Sequence, residues 1–273
     1  MLSLMIRLFN TDHSNSSGWR RRVLNVGRRF IAIAVVCYGA NFVSQCSDSE
    51  VRGTQGLSGK GGSLARFATT ETHLYAVDHS SLHVFRFESD GATAFVNSIE
   101  LGTGVETIAT RGTELFIGTT QAMIIYDIGN PDYPQYLSEY SHFTGCDPVV
   151  VQDTLAFVTL RTTGCRPATA NTLDILNVKD PKQPSVVVSY RLESPYGLGI
   201  DGNLLFVCDG EHGLKVYDVT NLYYLKLLQK FDVEAFDVIP DEGLLVLTGR
   251  QGIVQYDYSD KSNIREISRI SIP

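Results

Sequence analysis

The stretch LLFVCDGEHGLKVYD, residues 204–218, decides the fold. Two short apolar segments, Leu204–Cys208 and Leu214–Asp218, flank a polar connection that contains Gly210 and Gly213. Apolar runs of this length are typical of buried strands, and a short Gly-containing connection between two such runs is typical of an antiparallel hairpin. The stretch therefore predicts two paired β-strands.

The same hairpin recurs five times along the chain. Its first apolar segment begins at leucines spaced 41, 40, 49 and 40 residues apart: Leu74, Leu115, Leu155, Leu204 and Leu244. One insertion, Arg161 to Asn171, explains the longer spacing. A repeat of about 40 residues with four short strands is the signature of a propeller blade, which buries its faces only by stacking on its neighbours. The prediction is an all-β propeller of about five four-stranded blades.

The sequence leaves the closure of the ring open. Five repeats in phase can close as a small propeller, or they can form an incomplete, open ring with exposed sheet edges. We expect a closed ring of five blades. The alternative is an arc that is stable only when two chains pair.

A polar turn follows the second strand of the repeat. The segments Asp127–Pro134 and Asn177–Pro184 match position by position, and Asp218 and Asp257 begin shorter versions of the same turn. An Asp or Asn in such a position bonds backbone amides ahead of it, and Pro presets the turn dihedral. Because these acids recur with the repeat, we interpret them as turn residues rather than metal ligands.

Charge is distributed unevenly along the 273 residues. Residues 1–46 contain six Arg and one acidic residue, a net charge of +5, which leaves 17 basic and 29 acidic residues and −12 for the remainder. A body this acidic repels phosphate backbones, so nucleic acid is not an expected partner.

The basic N-terminal segment has the pattern of an export signal. Arginines at positions 20–22 and 28–29 precede an apolar run from Phe30 to Val43, which is too short to span a membrane and fits a signal-peptide core. Cys46 follows, preceded by Gln45, in a string that resembles the lipobox of bacterial lipoproteins. This resemblance implies lipidation of Cys46 and a membrane contact made only by the lipid. The alternative is a simple signal peptide and a periplasmic or secreted protein.

Three further cysteines are assigned by their context. Cys146 and Cys165 flank one repeat and its insertion, so an oxidising envelope predicts a disulfide between them, with two free thiols as the alternative. Cys208 lies in an apolar strand pattern and is expected to be a core residue.

The strand–turn unit LDILNV at residues 173–178 resembles the LVIVD repeat of propeller proteins from Bacteroidetes-type bacteria. The similarity extends over about residues 60–273, including segments 61–67, 146–151, 196–202 and 255–260. This family is an uncharacterised lipoprotein family, so the resemblance implies an architecture and no activity. We divide the chain into a leader (1–46), a Gly-rich linker (47–62) and the propeller (63–273).

Candidate ligand contacts lie where the innermost strands begin. Three acids and a tyrosine recur there and would form an acidic collar if they converged at one channel mouth: Glu106, Asp147, Tyr196 and Asp237. The simpler interpretation is that each caps a local turn or bonds a backbone amide of the next blade. The insertion adds Arg161 and Arg166, two cations on an acidic body, and insertions in propellers often lie on the binding face.

No catalytic motif stands out in the sequence. A phosphate-binding Gly-rich loop and a Gly-x-Ser-x-Gly elbow are both missing, and His79 and His83 are not accompanied by a third metal ligand at a suitable spacing. We therefore expect no metal, cofactor or catalytic residue. The expected function is a non-enzymatic scaffold of the cell envelope, outer membrane or cell surface that binds a protein or glycan. The alternative is a hydrolase or metal-assisted enzyme that uses the acidic collar.

Overall fold

The computed structural model describes residues 61–141, 148–162 and 170–272, and these residues form an all-β propeller. Five sheets are present, each with four antiparallel strands that follow one another in the chain. This confirms the fold predicted from the repeat. In the described part of the chain, no helix is both long and apolar enough to cross a membrane.

The strands are numbered along the chain, and each consecutive group of four is one blade. Blade 1 contains β1 (Phe67–Thr69), β2 (His73–Val77), β3 (Ser81–Phe87) and β4 (Thr93–Glu100). Blade 2 contains β5 (Val105–Arg111), β6 (Glu114–Thr119), β7 (Ala122–Asp127) and β8 (Gln135–Ser141). Blade 3 contains β9 (Val149–Gln152), β10 (Leu155–Leu160), β11 (Thr172–Asn177) and β12 (Ser185–Arg191). Blade 4 contains β13 (Leu198–Asp201), β14 (Leu204–Cys208), β15 (Leu214–Asp218) and β16 (Lys226–Phe231). Blade 5 contains β17 (Asp237–Asp241), β18 (Leu244–Gly249), β19 (Gly252–Asp257) and β20 (Arg265–Ser271).

The first strand of each blade lies at the centre of the ring. Strands β1, β5, β9, β13 and β17 are neighbours in that order, and residues of all five line one central cavity of about 320 Å³. Pro240 in β17 fits this arrangement, because the channel side of an innermost strand is an edge at which no ladder hydrogen bond is lost. We call the end of the channel at which these strands begin the entry face.

The strand pairing corrects the alignment of the repeats by one residue in three blades. Leu115 pairs with Tyr126, the residue before the turn acid, and the residue in that position in blade 3 is Ala156 rather than Leu155. The same shift puts Leu205 and Leu245 in place of the leucines before them. A β-bulge at the same point between the third and fourth strands of every blade fixes this register. This one-residue change in the alignment matters because neighbouring residues of a strand point to opposite faces of the sheet.

Each blade has two apolar faces. In blade 2, Leu115 and Ile117 pack on the preceding blade, whereas Phe116, Met123 and Ile125 pack on the following one. The same alternation gives one buried cluster at each of the interfaces 1–2, 2–3, 3–4 and 4–5. These four interfaces are the hydrophobic core of the described residues.

Blades 5 and 1 do not share such a cluster among the described residues. The position of Met123, which is 0 % exposed in blade 2, is taken in blade 5 by Ile253, which is 36 % exposed. On the far side of blade 1, Phe67 and Phe95 are 59 % and 60 % exposed. We call these surfaces the open face of blade 5 and the open face of blade 1. The former consists of Leu244, Val246, Ile253 and Ile270, and the latter of Phe67, Leu74, Phe85 and Phe95.

The polar turns after the third strands have the role expected from their recurrence. Asp127 accepts a hydrogen bond from the backbone N–H of Gly129 at 2.8 Å, and Asn177 accepts one from Lys179 at 2.9 Å. Asp218 and Asp257 do the same for the amides two residues ahead. Hydrogen bonds from the hydroxyls of Thr220 and Ser259, followed by these amide bonds, stabilise the ionised form and lower the pKa of Asp218 and Asp257. The acids are therefore turn residues.

Truncation at equivalent positions should separate a packed face from an open one. Leu214, which faces blade 5, is 0 % exposed, and Leu214→Ala should lower the free energy of unfolding by about 2–5 kcal/mol because it leaves a cavity. Ile253→Ala in blade 5 should cost less than about 1 kcal/mol, since its side chain is already partly in water. Denaturant unfolding in dilute solution measures both. Equal losses would show that Ile253 is packed as tightly as Leu214.

Candidate functional site

The side chains that line the central channel are mostly apolar. Its wall contains Ile108, Val149, Leu198 and Val238, one from each of four innermost strands. The glycine in β13, Gly199, is required there because a Cβ atom would collide with the ring of Pro240. The channel therefore offers few polar side chains, and the charged side chains described below lie at its entry face.

Glu106 is placed at the entry face by a β-bulge. The register of β5 against β6 shifts between Val105 and Thr107, so Glu106 is the extra residue of the bulge. Bulges re-aim single side chains and are frequent beside functional sites. Gly104, with a φ of 83°, makes the tight approach to the bulge, where a side chain would collide with Thr120.

The charges around Glu106 are mostly positive. Burial of this half-buried carboxyl raises its pKa, while the nearby charges of Arg66, Arg161 and His79 act in the opposite direction. The net effect is a raised pKa of Glu106, since desolvation outweighs the effects of these three neighbours. Glu106 and its charged neighbours therefore come from blades 1, 2 and 3 and from the segment before blade 1.

Arg161 also links the site to blade 4. Its guanidinium carbon lies 3.9 Å from the centre of the Tyr196 ring, a cation–π contact. The Tyr196 ring packs in turn against Phe236, with the ring centres 5.2 Å apart. Thr159 fixes the backbone there by donating a hydrogen bond to the Tyr196 carbonyl at 2.6 Å. Arg161 is thus held in place rather than free in solvent.

Asp237 is bound inside the structure. Ser63 donates its hydroxyl proton to the Asp237 carboxylate at 3.0 Å, and the backbone amides of Ser63, Leu64 and Val238 also bond to it. Ser63 accepts a further bond from the Leu198 amide at 2.7 Å. This arrangement, which we call the Ser63 clasp, joins the segment before blade 1 to blades 4 and 5. Ala65 in the same segment accepts a bond from Ile108 of blade 2, so residues 63–65 connect opposite sides of the ring.

The predicted collar is therefore only partly assembled. Glu106 and Tyr196 both adjoin Arg161, whereas Asp237 is engaged by the Ser63 side chain and by backbone amides. Cys46, Cys146, Asp147, Cys165 and Arg166 lie outside the described residues, so the lipidation and the disulfide remain predictions. Cys208 is a free, fully buried thiol, which confirms its assignment to the core.

The sequence analysis did not identify three residues that form polar or charged contacts in the structure. Arg66 and Ser63 lie in the segment before the first repeat strand, where the period gives no partner for them. Lys215 forms an ion pair with the fully buried Asp209, which also accepts a bond from the Ser194 amide. The alternation of charge and apolar residues in LKVYD is the only signal that could have indicated Lys215.

Metal ligation has little support in the described ranges. No group of three or more His, Cys, Asp or Glu side chains there could hold a metal ion. His83 contacts Asp78 at 2.9 Å in the hairpin turn of blade 1, at an exposed position. His79 instead lies near Glu106.

Comparison with known proteins supports the fold and does not extend to a family. No protein-family model matches the chain, and none of the curated proteins matches it. A protein from Lactobacillus plantarum is 14 % identical, with a TM-score of 0.60 over 74 % of this chain and 69 % of that one. A periplasmic gluconolactonase from Pseudomonas aeruginosa is 13 % identical, with a TM-score of 0.57 over 74 % and 68 % of the two chains. A protein of unknown function from Desulfotomaculum acetoxidans is 10 % identical, with a TM-score of 0.61 over the same shares. At these identities the likeness concerns the fold alone.

Substitution of Asp237 should weaken the Ser63 clasp. Asp237→Asn keeps one acceptor oxygen and loses another, so it should lower the free energy of unfolding by about 1–3 kcal/mol. Because burial raises the folded-state pKa of Asp237, the wild type loses part of its stability as pH rises from the unfolded pKa through the folded one. The Asn variant lacks this slope, so its deficit should be larger near pH 4 than near pH 7.

Asp257→Asn is the matched control in an exposed turn. Hydrogen bonds from Ser259 lower the pKa of Asp257, so its contribution is present above the unfolded pKa and is lost as pH falls. The deficit of this variant should therefore change with pH in the opposite direction. Denaturant titrations at several pH values measure both, and parallel pH profiles would refute the assignment of Asp237 to the clasp.

Proposed function

We propose that the chain is a non-enzymatic binding scaffold of the cell envelope whose entry face binds an acidic glycan. The observation that carries this proposal is the guanidinium of Arg161 held over the Tyr196 ring, with Arg66 close by, around the half-buried Glu106. Two cations thus meet on a body that is acidic overall.

The chemistry of these groups suits a sugar that carries carboxylates. An arginine presents a planar fork that matches a carboxylate with two parallel hydrogen bonds. Its contact with Tyr196 holds that fork in place, which lowers the entropy lost on binding. An acidic protein is the alternative ligand, because its carboxylates would use the same donors.

The envelope location rests on the leader and on the resemblance to LVIVD-repeat lipoproteins. The export signal before Cys46 supports delivery across a membrane, and lipidation of Cys46 would tether the propeller to it. A tethered propeller would present its entry face to polymers of the envelope or cell surface. Labelling with a radioactive fatty acid tests the tether, and a Cys46→Ala variant that is labelled equally would exclude lipidation at this residue.

Calorimetry with an oligogalacturonate, a sugar chain with one carboxylate per unit, tests the ligand class. Arg161→Ala should weaken binding at least about tenfold, because a charge-assisted hydrogen bond is lost. Arg265→Ala in the outermost strand of blade 5, where the side chain is exposed, is the control and should bind as the wild type does. A wild type that binds no acidic oligosaccharide would overturn the glycan proposal, and retention of an acidic protein would assign the site to the alternative ligand.

The protonation of Glu106 predicts a pH dependence for this binding. Since burial raises the pKa of Glu106, its negative charge is lost at a higher pH than that of an ordinary glutamate. An anionic ligand should therefore bind more tightly as pH falls through that raised pKa. Glu106→Gln should bind tightly and with a flat profile over this range. A variant that keeps the wild-type slope would show that another group is responsible.

An enzyme that uses Glu106 is the second candidate. A half-buried carboxyl with a raised pKa on a bulge is a suitable general acid. Hydrolysis by a pair of carboxylates would need a partner, and Asp237 is already bound to Ser63 and backbone amides. A screen of sugar lactones and glycosides separates the two functions. Turnover that disappears in Glu106→Gln would support an enzyme, and turnover unchanged in that variant would exclude Glu106 as its acid.

A further inference from the structure

The four packed interfaces define what an open blade face normally contacts. At each of them, the face of one blade that contains Phe116 or its equivalent meets the opposite face of the next blade. The equivalents Tyr75, Phe157 and Phe206 are all buried to within 1 %. In blade 5 the same position is Val246, which is only half-buried. The open face of blade 5 thus has the pattern of a packed blade face, but no other blade covers it among residues 61–141, 148–162 and 170–272.

The open face of blade 1 is the complementary surface. Leu74 and Phe85 occupy positions that are taken in blade 2 by Leu115 and Tyr126, which are 0 % and 7 % exposed. In blade 1 both are only half-buried. Phe95 packs edge-on against Phe85, with the ring centres 5.7 Å apart, and extends the apolar surface onto the outermost strand. The two open faces therefore differ, one being aromatic and the other aliphatic.

The Ser63 clasp joins the segment before blade 1 to the start of blade 5 but does not bury the two open faces. Residues 63–65 cross the ring and bond to Asp237, Leu198 and Ile108. Gly62 lies so close to Asp237 that a Cβ atom would overlap its carboxylate. With these bonds in place, Ile253 is still 36 % exposed and Phe95 60 % exposed. The described residues of one chain therefore leave both open faces uncovered.

We infer that the open face of blade 5 binds the open face of blade 1 of a second copy of this chain, head to tail. The contact continues the packing of the four interfaces inside the molecule, with Ile253 and Val246 of one copy against Phe67, Phe85 and Phe95 of the other. Each copy carries one face of each kind, so the interface is heterologous. Exposed apolar patches of this kind are typical of association surfaces. This inference is independent of the glycan-binding proposal, because it does not use Glu106, Arg161 or Tyr196.

Mass measurement of the full chain by light scattering and sedimentation tests the interface. The wild type should associate into dimers or larger assemblies as its concentration rises. Ile253→Lys on blade 5, or Phe95→Lys on blade 1, should weaken self-association at least about tenfold, because each buries a charge without a partner. Both side chains are exposed within one chain, so the fold should be retained. Tyr224→Lys, at a residue that is 72 % exposed outside both open faces, is the control and should associate as the wild type does.

A mixing experiment identifies the head-to-tail arrangement. The Ile253→Lys variant keeps an intact blade 1 face, and the Phe95→Lys variant keeps an intact blade 5 face. Each should be monomeric alone, and an equimolar mixture should recover a mass of two chains. A wild type that stays monomeric at all concentrations would overturn the inference, as would variants that associate like the wild type. Association lost in both variants and not recovered on mixing would refute the head-to-tail arrangement.

Discussion

The structure depends on one constraint, which is that a four-stranded blade with two apolar faces cannot bury both of them alone. Each blade is stabilised by its neighbours, and the buried clusters lie between sheets rather than within them. Phe116 and Phe157 are buried because the next blade is present, not because of contacts in their own strands. The stability of the fold is therefore a property of interfaces, and the interface between blades 5 and 1 differs from the other four.

The architecture could be predicted from the repeat, because period and strand length follow directly from backbone geometry. The alignment was less secure at Leu155 and Leu204, since runs such as LLFV contain apolar residues on both sides and do not reveal which one faces which blade. Only strand pairing and the recurrent bulge fix that choice. Five repeats were expected to form a closed ring. At the channel, strands from all five blades surround one cavity, as a closed ring requires. The outer faces of blades 5 and 1, in contrast, are exposed.

The candidate site could be predicted only in part, for a physical reason. Glu106, Tyr196 and Asp237 were expected at the start of the innermost strands, and the structure places them there. Their partners come from distant parts of the sequence: Ser63 bonds to Asp237 across 174 residues, and Arg161 reaches Tyr196 from another blade. A periodic pattern predicts the position of a residue within its strand. It contains no information about which charged side chain from another blade lies next to it. For this reason the expected acidic collar is a mixed site in which arginines surround one carboxyl and Ser63 engages the other.

The Ser63 clasp has a consequence for the order of folding. Most contacts in this protein join strands that are consecutive in the chain, so hairpins and then blades can form as soon as they are synthesised. Ser63 is synthesised before the first blade, whereas Asp237 is the first residue of β17 in the last blade. The clasp can therefore form only after nearly the whole chain has been made, and the loop that it closes is the longest closed by a side-chain hydrogen bond among the described residues. A ribosome-bound chain that stops short of blade 5 could form the bonds of this segment to Ile108 and Leu198, whereas the bond from Ser63 to Asp237 would still be missing. Synthesis of blade 5 therefore completes the attachment of the segment before blade 1.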